Sequence, residues 1–182
     1  MRGFPPLHLA GLLLVGAIGL AAVPAAAQDH PLSLALSGGV GGSLDEDESG
    51  FSNGTFQARF AVELSRQRSL GLRLGRIDFG DEIVGPASDV TLDYFTVSGE
   101  YLFDEPSYES GLYLGLGFYD FSSTRTDGRS GDETAVGLVI GALAEFALAK
   151  RWFVYGEAAF AYTNLDIAQL FADLQVGIGF RF

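Results

Sequence analysis

The chain lacks the side chains on which most redox, metal and nucleophilic chemistry depends. It contains no cysteine and only two histidines, His8 and His30. Without cysteine, neither a disulfide framework nor a lipid-modified cysteine is possible. A serine or similar nucleophile usually needs a histidine base beside a carboxylate, and both histidines precede every strand predicted below. We therefore expect no enzyme, no catalytic residues and no cofactor.

Positive charge is also scarce. The chain has 11 lysine and arginine residues against 23 aspartate and glutamate residues, which gives a formal net charge of −12. Proteins that bind nucleic acid carry a basic stripe or patch, so this balance argues against a nucleic-acid partner. The length of 182 residues suits a single folded domain.

Only one long apolar run is present, and it lies at the amino terminus. Arg2 precedes it, the run covers residues 9–23, and Pro-Ala-Ala-Ala27-Gln28 follows. A basic start, an apolar middle and an Ala-x-Ala site are typical of a secretory signal peptide, so we predict cleavage between Ala27 and Gln28. The alternative is a retained membrane anchor, but the run of 15 residues is shorter than the ~20 that cross a bilayer. The predicted organisation is a signal peptide, residues 1–27, and one mature domain, residues 28–182.

In the rest of the chain, apolar residues are abundant but alternate with polar or small ones. Every second residue from Leu170 to Phe182 is apolar. Successive side chains of a strand point to opposite faces, so a period of two predicts a strand with two different faces. The same pattern predicts eight strands, at about residues 32–41, 55–65, 70–79, 90–103, 111–121, 134–148, 152–162 and 170–182.

The connections between these strands alternate in length. Those after the second, fourth and sixth strands are short, whereas those after the first, third and fifth are long and polar. Short turns at one end and long loops at the other are typical of a transmembrane β-barrel. We therefore predict an all-β, eight-stranded antiparallel up-and-down transmembrane barrel whose last strand closes on the first, near Leu32 to Leu36. A soluble sandwich explains the alternation equally well but not the ordering of the connections.

Aromatic residues cluster toward both predicted ends of the strands, where two girdles are expected at the membrane interfaces. Alternation in the third strand slips near Arg76 and Ile77, which predicts a bulge. The girdle at the short-turn end is expected to contain Tyr101, Phe103, Trp152, Phe180 and Phe182, and the girdle at the long-loop end Phe56, Phe79, Tyr94, Phe118, Phe121, Phe160 and Tyr162.

Two segments resemble the small eight-stranded outer-membrane barrels of the OmpA/OmpX type. Residues 134–162 are similar to a late hairpin of that family, with a glycine-rich strand, a basic turn and a strand that carries an inward glutamate. Gly-Phe-Arg-Phe at residues 179–182 is similar to the family's carboxyl-terminal strand. The resemblance implies a place in the outer membrane of a Gram-negative bacterium, among outer-membrane lipid and lipopolysaccharide, without a peptidoglycan-binding domain. It also implies that periplasmic chaperones and the barrel-assembly machinery act in biogenesis, with Ile178, Phe180 and Phe182 as the assembly signal.

The predicted strands also place a set of charged side chains on the inner face of the barrel. An eight-stranded lumen is only wide enough for side chains to fill, and opposite charges in it should pair because an isolated buried charge is costly. Glu63 and Arg73 flank the same short turn and are the first candidate pair. We expect a filled lumen rather than a conduction path. The predicted lumen set is Arg59, Glu63, Arg73, Glu100, Glu145, Glu157, Asp173 and Arg181.

The first long connection carries the acidic run Asp45, Glu46, Asp47 and Glu48. Clustered carboxylates suit Ca²⁺ or Mg²⁺, which makes these four residues a weak metal candidate. The run lacks the spacing of an EF-hand, so a solvated acidic loop is the favoured interpretation and no metal site is predicted.

These features predict a structural outer-membrane protein with acidic surface loops. Its role would be envelope integrity or a surface interaction such as adhesion. The alternative is a small porin or gated channel for small solutes. An enzyme that modifies lipid A is a weaker third hypothesis, because the histidine base of such a site is lacking.

Overall fold

The computed structural model describes residues 32–44, 50–51, 54–80, 87–104, 107–125, 130–165 and 169–182. The predicted signal peptide, its cleavage site at Ala27 and Gln28, and the acidic run from Asp45 to Glu48 lie outside these ranges. Within the described residues, no helix is long and apolar enough to cross a bilayer.

The described residues form nine strands, of which eight are long. The long strands contain 12 to 18 residues and coincide with the eight predicted ones. The ninth, β2, is a two-residue strand that pairs with the end of β1. In chain order the strands are β1 (Leu32–Ser43), β2 (Gly50–Phe51), β3 (Gly54–Ser65), β4 (Arg68–Gly80), β5 (Ala87–Asp104), β6 (Glu109–Arg125), β7 (Ser130–Ala147), β8 (Trp152–Thr163) and β9 (Leu170–Arg181).

The long strands form one closed antiparallel sheet. Each pairs with its neighbours in sequence, and β9 also pairs with β1 along its whole length, from Ser33 opposite Arg181 to Ser43 opposite Phe171. This confirms the predicted closure of the last strand on the first. A closed sheet leaves no edge, which a strand in lipid requires because no water is present to satisfy unpaired backbone groups.

The strands are staggered around the barrel. Following register partners from Leu34 on β1 through each strand leads to Leu170 on β9, whereas Leu34 itself pairs with Phe180. The register is therefore displaced by ten residues per circuit. Such a stagger requires strands that tilt strongly against the barrel axis.

Alternation sorts the side chains as a membrane barrel needs. On β6, Leu112, Leu114 and Leu116 point outward and are 56–62% exposed, whereas Tyr113 between them is 2% exposed and points inward. The same contrast recurs on the other long strands, so an apolar band surrounds a polar interior. The soluble sandwich is therefore wrong, because its apolar faces would be buried against each other.

Toward the long-loop end this polarity reverses. On β4, Ile77 and Phe79 are inward and buried, while Arg76 and Asp78 are outward and exposed. The expected slip at Arg76 and Ile77 is thus wrong: the alternation continues, and the irregularity in register lies between Asp78 and Gly80. The chain changes from a membrane pattern to the pattern of a soluble sheet at this level.

The reversal also corrects the predicted aromatic girdle. Phe79, Tyr94 and Phe121 are 3%, 8% and 4% exposed, and they fill the interior instead of facing lipid. The other predicted girdle residues at this end lie on the outer surface, namely Phe56, Phe118, Phe160 and Tyr162.

Three adjacent strands rise above the others at the long-loop end. β5, β6 and β7 contain 18, 17 and 18 residues, against 12 or 13 for the remaining long strands. Pairing of β7 with β8 stops at Gly137, and pairing of β4 with β5 stops at Gly80. The upper parts of β5 to β7 therefore form a three-stranded wall beyond the barrel rim.

Candidate functional site

The structure places the predicted lumen residues on the inner face of the barrel, but at different depths. Arg59, Arg73, Glu100, Glu145 and Glu157 are nearly inaccessible, with 1–5% exposure. The other three, Glu63, Asp173 and Arg181, are partly exposed. The eight residues therefore do not form one uniform cluster.

Two arginines lie side by side at the centre. Arg59 on β3 and Arg73 on β4 are direct register partners. Glu100 on β5 bridges them: it accepts hydrogen bonds from Arg59 Nε at 3.0 Å and Nη2 at 2.5 Å, and from Arg73 Nη2 at 2.9 Å. Ser69 Oγ donates a fourth hydrogen bond to Glu100, at 2.6 Å. One carboxylate thus holds together two like charges that would otherwise repel each other.

Each arginine also has a second carboxylate partner. Arg59 Nη1 lies 2.9 Å from Glu145 Oε1, and Arg73 Nε lies 2.9 Å from Glu157 Oε2. Arg73 Nη1 further donates to Ser98 Oγ at 2.6 Å. The resulting chain of charges runs Glu145, Arg59, Glu100, Arg73 and Glu157 across the lumen.

The expected pair of Glu63 and Arg73 is wrong. Glu63 has Ser69 as its register partner, four residues before Arg73 on β4, which is about 13 Å along a strand. Arg73 instead reaches Glu100 and Glu157 on other strands. Proximity to one turn does not determine which groups meet across the lumen.

Tyrosines complete the coordination of the buried ions. Glu157 accepts hydrogen bonds from Tyr113 at 2.7 Å and from the hydroxyl of Tyr155. The Arg73 guanidinium lies 3.8 Å from the centre of the Tyr113 ring, and that of Arg59 lies 5.2 Å from the Tyr155 ring. The sequence prediction missed these roles, although both tyrosines alternate with outward residues and so could have been assigned to the inner face.

Inward glycines make room for these large side chains. A methyl group at Gly71 would overlap the Glu100 carboxylate, and one at Gly141 would overlap the Tyr113 ring, its register partner. Gly75 and Tyr94 are matched in the same way. The glycines within the strands thus pair small with large across the lumen wall.

A neutral polar layer covers the ion network on the long-loop side. Tyr94 donates to Gln57 Oε1 at 2.9 Å, Gln175 Nε2 donates to the Tyr94 hydroxyl at 3.1 Å, and Ser37 donates to Gln175 at 2.7 Å. Asp173 accepts from Gln175 Nε2 at 3.4 Å. Asp173 therefore contacts an amide here instead of an arginine.

Above this layer the lumen is apolar. Ile77, Leu92, Tyr119 and Phe171 are at most 2% exposed and face a cavity of about 20 Å³ above Arg73 and Glu157. Such a volume accommodates about one water molecule. Phe79 packs against Phe171 at a ring distance of 6.1 Å. Ions, amides and aromatic rings thus fill successive levels of the barrel.

At the opposite end, Arg181 closes the short-turn mouth. It forms ion pairs with Glu145 at 2.7 Å and with Glu109. Its guanidinium lies 5.2 Å from the centre of the Phe153 ring. Because Arg181 and Glu109 are about one third exposed, this pair is in contact with water.

The predicted assembly residues line the outer face of β9. Ile178 and Phe182 are 48% and 64% exposed. The Phe180 ring packs edge-on against Trp152 at 5.0 Å and against Phe182 at 5.1 Å. The Phe182 N–H donates to the Leu32 carbonyl at 2.9 Å, so the last residue is fixed to β1.

The lumen chemistry is that of a structural network. The central carboxylates accept hydrogen bonds from guanidinium, hydroxyl and amide donors of the protein itself. Among the described residues, no group of three or more His, Asp or Glu side chains could hold a metal ion. The arrangement neutralises charge in a space too narrow for solvent.

Comparison with known proteins agrees with this architecture. The family model described as outer membrane protein beta-barrel domain matches residues 13–182. Neisserial surface protein A has a similar structure, with a TM-score of 0.61 and 16% identity over 84% of this chain and 97% of that one. Ail of Yersinia pestis gives 0.56 and 17% over 84% and 97%. The amino-terminal barrel domain of Pseudomonas aeruginosa OprF gives 0.59 and 16% over 85% and 98%. A search of curated proteins found no match.

Proposed function

Because the chain belongs to the outer membrane protein β-barrel domain family, we propose that it is a non-conducting scaffold of the outer membrane that supports the envelope or contacts partners at the cell surface. The observation that carries this proposal is the filled lumen. Glu145, Arg59, Glu100, Arg73 and Glu157 span it as one chain of ion pairs.

A conduction path through this lumen would require the central ion pairs to separate. Removing one partner of a buried pair typically costs about 3–5 kcal/mol, because the other charge stays buried and unpaired. Glu100 would have to leave both Arg59 and Arg73, and the apolar level above it would have to open as well. This argues for a plug and against a porin or gated channel.

With the lumen closed, the surface available for interaction is the three-stranded wall of β5 to β7. Its described outward side chains include Asp120, Asp132 and Thr134, all exposed. Ail, the attachment invasion locus protein, has been crystallised with the heparin analogue sucrose octasulfate. The acidic wall of the present chain suits a basic partner better than a polyanion, because like charges repel each other.

Lipid and biogenesis partners complete the proposal. The outward apolar band contacts outer-membrane lipid, and the long-loop end lies in the lipopolysaccharide leaflet. Cleavage between Ala27 and Gln28 would precede folding. Ile178, Phe180 and Phe182 would present the assembly signal to the barrel-assembly machinery after transfer from periplasmic chaperones.

Planar-bilayer recording tests the scaffold against the channel. Purified, refolded protein should give no single-channel steps, and a general porin in the same bilayer should give them. As a matched variant, R59S/E100S/R73S empties the centre of the lumen and should conduct if it folds, as judged by a heat-dependent shift in gel mobility. Reproducible steps from the unmodified protein would establish transport and overturn the scaffold.

A further inference from the structure

The basic side chains of the described residues fall into two classes. Arg59, Arg73, Arg76 and Arg181 each form an ion pair with a carboxylate. The other four are exposed and have no ion pair within the described part of the chain: Arg66, Arg68, Lys150 and Arg151. All four unpaired cations lie in or beside two short turns at the same end of the barrel.

Both turns are held in place by backbone hydrogen bonds. In the turn between β3 and β4, the Gln67 carbonyl accepts from Leu102 N at 2.8 Å. In the turn between β7 and β8, the Arg151 carbonyl accepts from Arg181 N at 2.8 Å. The cationic side chains therefore extend from fixed points, which reduces the entropy lost when an anion is bound.

These two turns flank the seam between β9 and β1. The strand order from one turn to the other is β8, β9, β1 and β3, so three strand spacings, or about 14 Å, separate them. The third short turn, between β5 and β6, lies on the far side of the barrel, and Glu109 at its end is acidic. Positive charge is thus concentrated on the seam side.

The seam also offers an apolar surface directly next to the cations. Leu64, Trp152 and Phe182 are 56%, 48% and 64% exposed on the outer face. Trp152 and Phe182 both contact the Phe180 ring, which gives a continuous aromatic strip beside Arg151. A ligand for this surface would have to combine an anionic group with apolar chains.

We propose that the seam side of the short-turn end is a binding site for an anionic phospholipid of the adjoining leaflet. The phosphate and the negative headgroup lie between Arg66 and Arg68 on one side and Lys150 and Arg151 on the other. The acyl chains lie along Leu64, Trp152 and Phe182. Clustered basic residues at a membrane boundary attract anionic lipid more strongly than zwitterionic lipid. This partner is additional to the proposed scaffold function and lies at the opposite end from the wall.

Lipid-selectivity measurement tests the proposal. The full mature protein is reconstituted in phosphatidylcholine membranes with spin-labelled phosphatidylglycerol or spin-labelled phosphatidylcholine, and the motionally restricted fraction is compared. We expect the phosphatidylglycerol label to associate at least about threefold more strongly. The variant R66Q/R68Q/K150Q/R151Q should reduce this ratio to about one, whereas R76Q, at the long-loop end, should leave it unchanged.

Two further arms keep the result decisive. About 1 M salt should reduce the preference of the unmodified protein, because exposed charges are screened; this arm does not depend on whether the quadruple variant folds. A ratio near one for the unmodified protein, or a preference that persists in the folded quadruple variant, would overturn the proposal. Binding of soluble peptidoglycan fragments without any lipid preference would assign the cations to a different partner and would also overturn it.

Discussion

At the scale of single residues, Glu100 explains how two adjacent arginines can be buried together. Arg59 and Arg73 are register partners, so their charges repel each other at short range. Glu100 forms ion pairs with both, and Glu145 and Glu157 supply one further negative charge each. The network is stable only as a unit, because each member satisfies a neighbour.

Neutralising Glu100 should therefore destabilise the barrel strongly. E100Q directs an amide N–H₂ toward guanidinium groups that can only donate, and it leaves two buried cations short of charge. We expect a loss of about 3–5 kcal/mol in the free energy of unfolding. Urea unfolding in phospholipid vesicles, followed by fluorescence of Trp152, the single tryptophan, measures it.

The matched control is E109Q. Glu109 also pairs with an arginine, but both partners are about one third exposed at the mouth. Its loss should cost less than about 1 kcal/mol, as for exposed ion pairs. Equal effects of the two substitutions would show that the central network contributes no more than a surface pair.

The inward glycines give a second prediction at this scale. G141A places a methyl group against the Tyr113 ring, so the ring must move away from Glu157 and Arg73. We expect a loss of about 1–3 kcal/mol, as for other overpacked sites. G99A is the control, because its methyl group would have no neighbour within 4 Å and should change stability by at most about 0.5 kcal/mol. The same urea titration distinguishes them, and a neutral G141A would contradict the packing argument.

Parity along the strands predicts which charges face inward, but not which of them meet. Glu63 and Arg73 illustrate the difference, since both face inward yet lie four residues apart in register. The partners of Arg73 come from β5 and β8, and their level depends on the stagger accumulated over several strands. No local pattern in the sequence encodes that sum.

At the scale of the strand, β9 has two roles, closure and anchoring. Its inner face contributes Gln175 and Arg181 to the lumen, and its outer face carries the ring contacts of Phe180. Phe182 is 64% exposed and makes one backbone hydrogen bond to Leu32. The folded barrel therefore depends little on the Phe182 side chain.

Deleting Phe182 should impair assembly more than stability. In cells, the amount of heat-modifiable barrel in the outer membrane should fall several-fold, while protein refolded in vitro should lose at most about 1 kcal/mol. F160A, which truncates an equally exposed aromatic on β8, should leave cellular assembly unchanged. Similar losses in cells and in vitro would indicate that Phe182 acts only by packing.

Strand positions are predictable here because alternation is strong over most of each strand. The prediction fails where strands leave the membrane. Phe79, Tyr94 and Phe121 are buried because β4, β5 and β6 reverse their polarity there. The alternation alone cannot show on which side of the sheet water lies, and so the wall of β5 to β7 was not anticipated.

At the scale of the whole molecule, the barrel is closed by pairing and filled by side chains. Closure is predictable, because an open edge in lipid would leave backbone groups unpaired. The ten-residue displacement of the register is not, because it is a property of all eight long strands together. That displacement sets the strand tilt and hence the charges that share one level.

Cysteine cross-linking across the seam tests closure and register together. The chain has no cysteine, so an introduced pair is the only source of a disulfide. Leu36 on β1 and Ile178 on β9 are register partners and both face outward. Facing residues on antiparallel strands lie about 4.5–5.5 Å apart at Cα, which is within the range that a disulfide spans.

In the membrane-embedded barrel, L36C/I178C should oxidise to an intramolecular disulfide, detected as a mobility change on a non-reducing gel. L36C/L174C should stay reduced, because the second cysteine is displaced by four residues, or about 13 Å along β9. A heat-dependent mobility shift verifies that both variants fold. A folded L36C/I178C that stays reduced, or equal oxidation of the displaced pair, would contradict the closed barrel in this register.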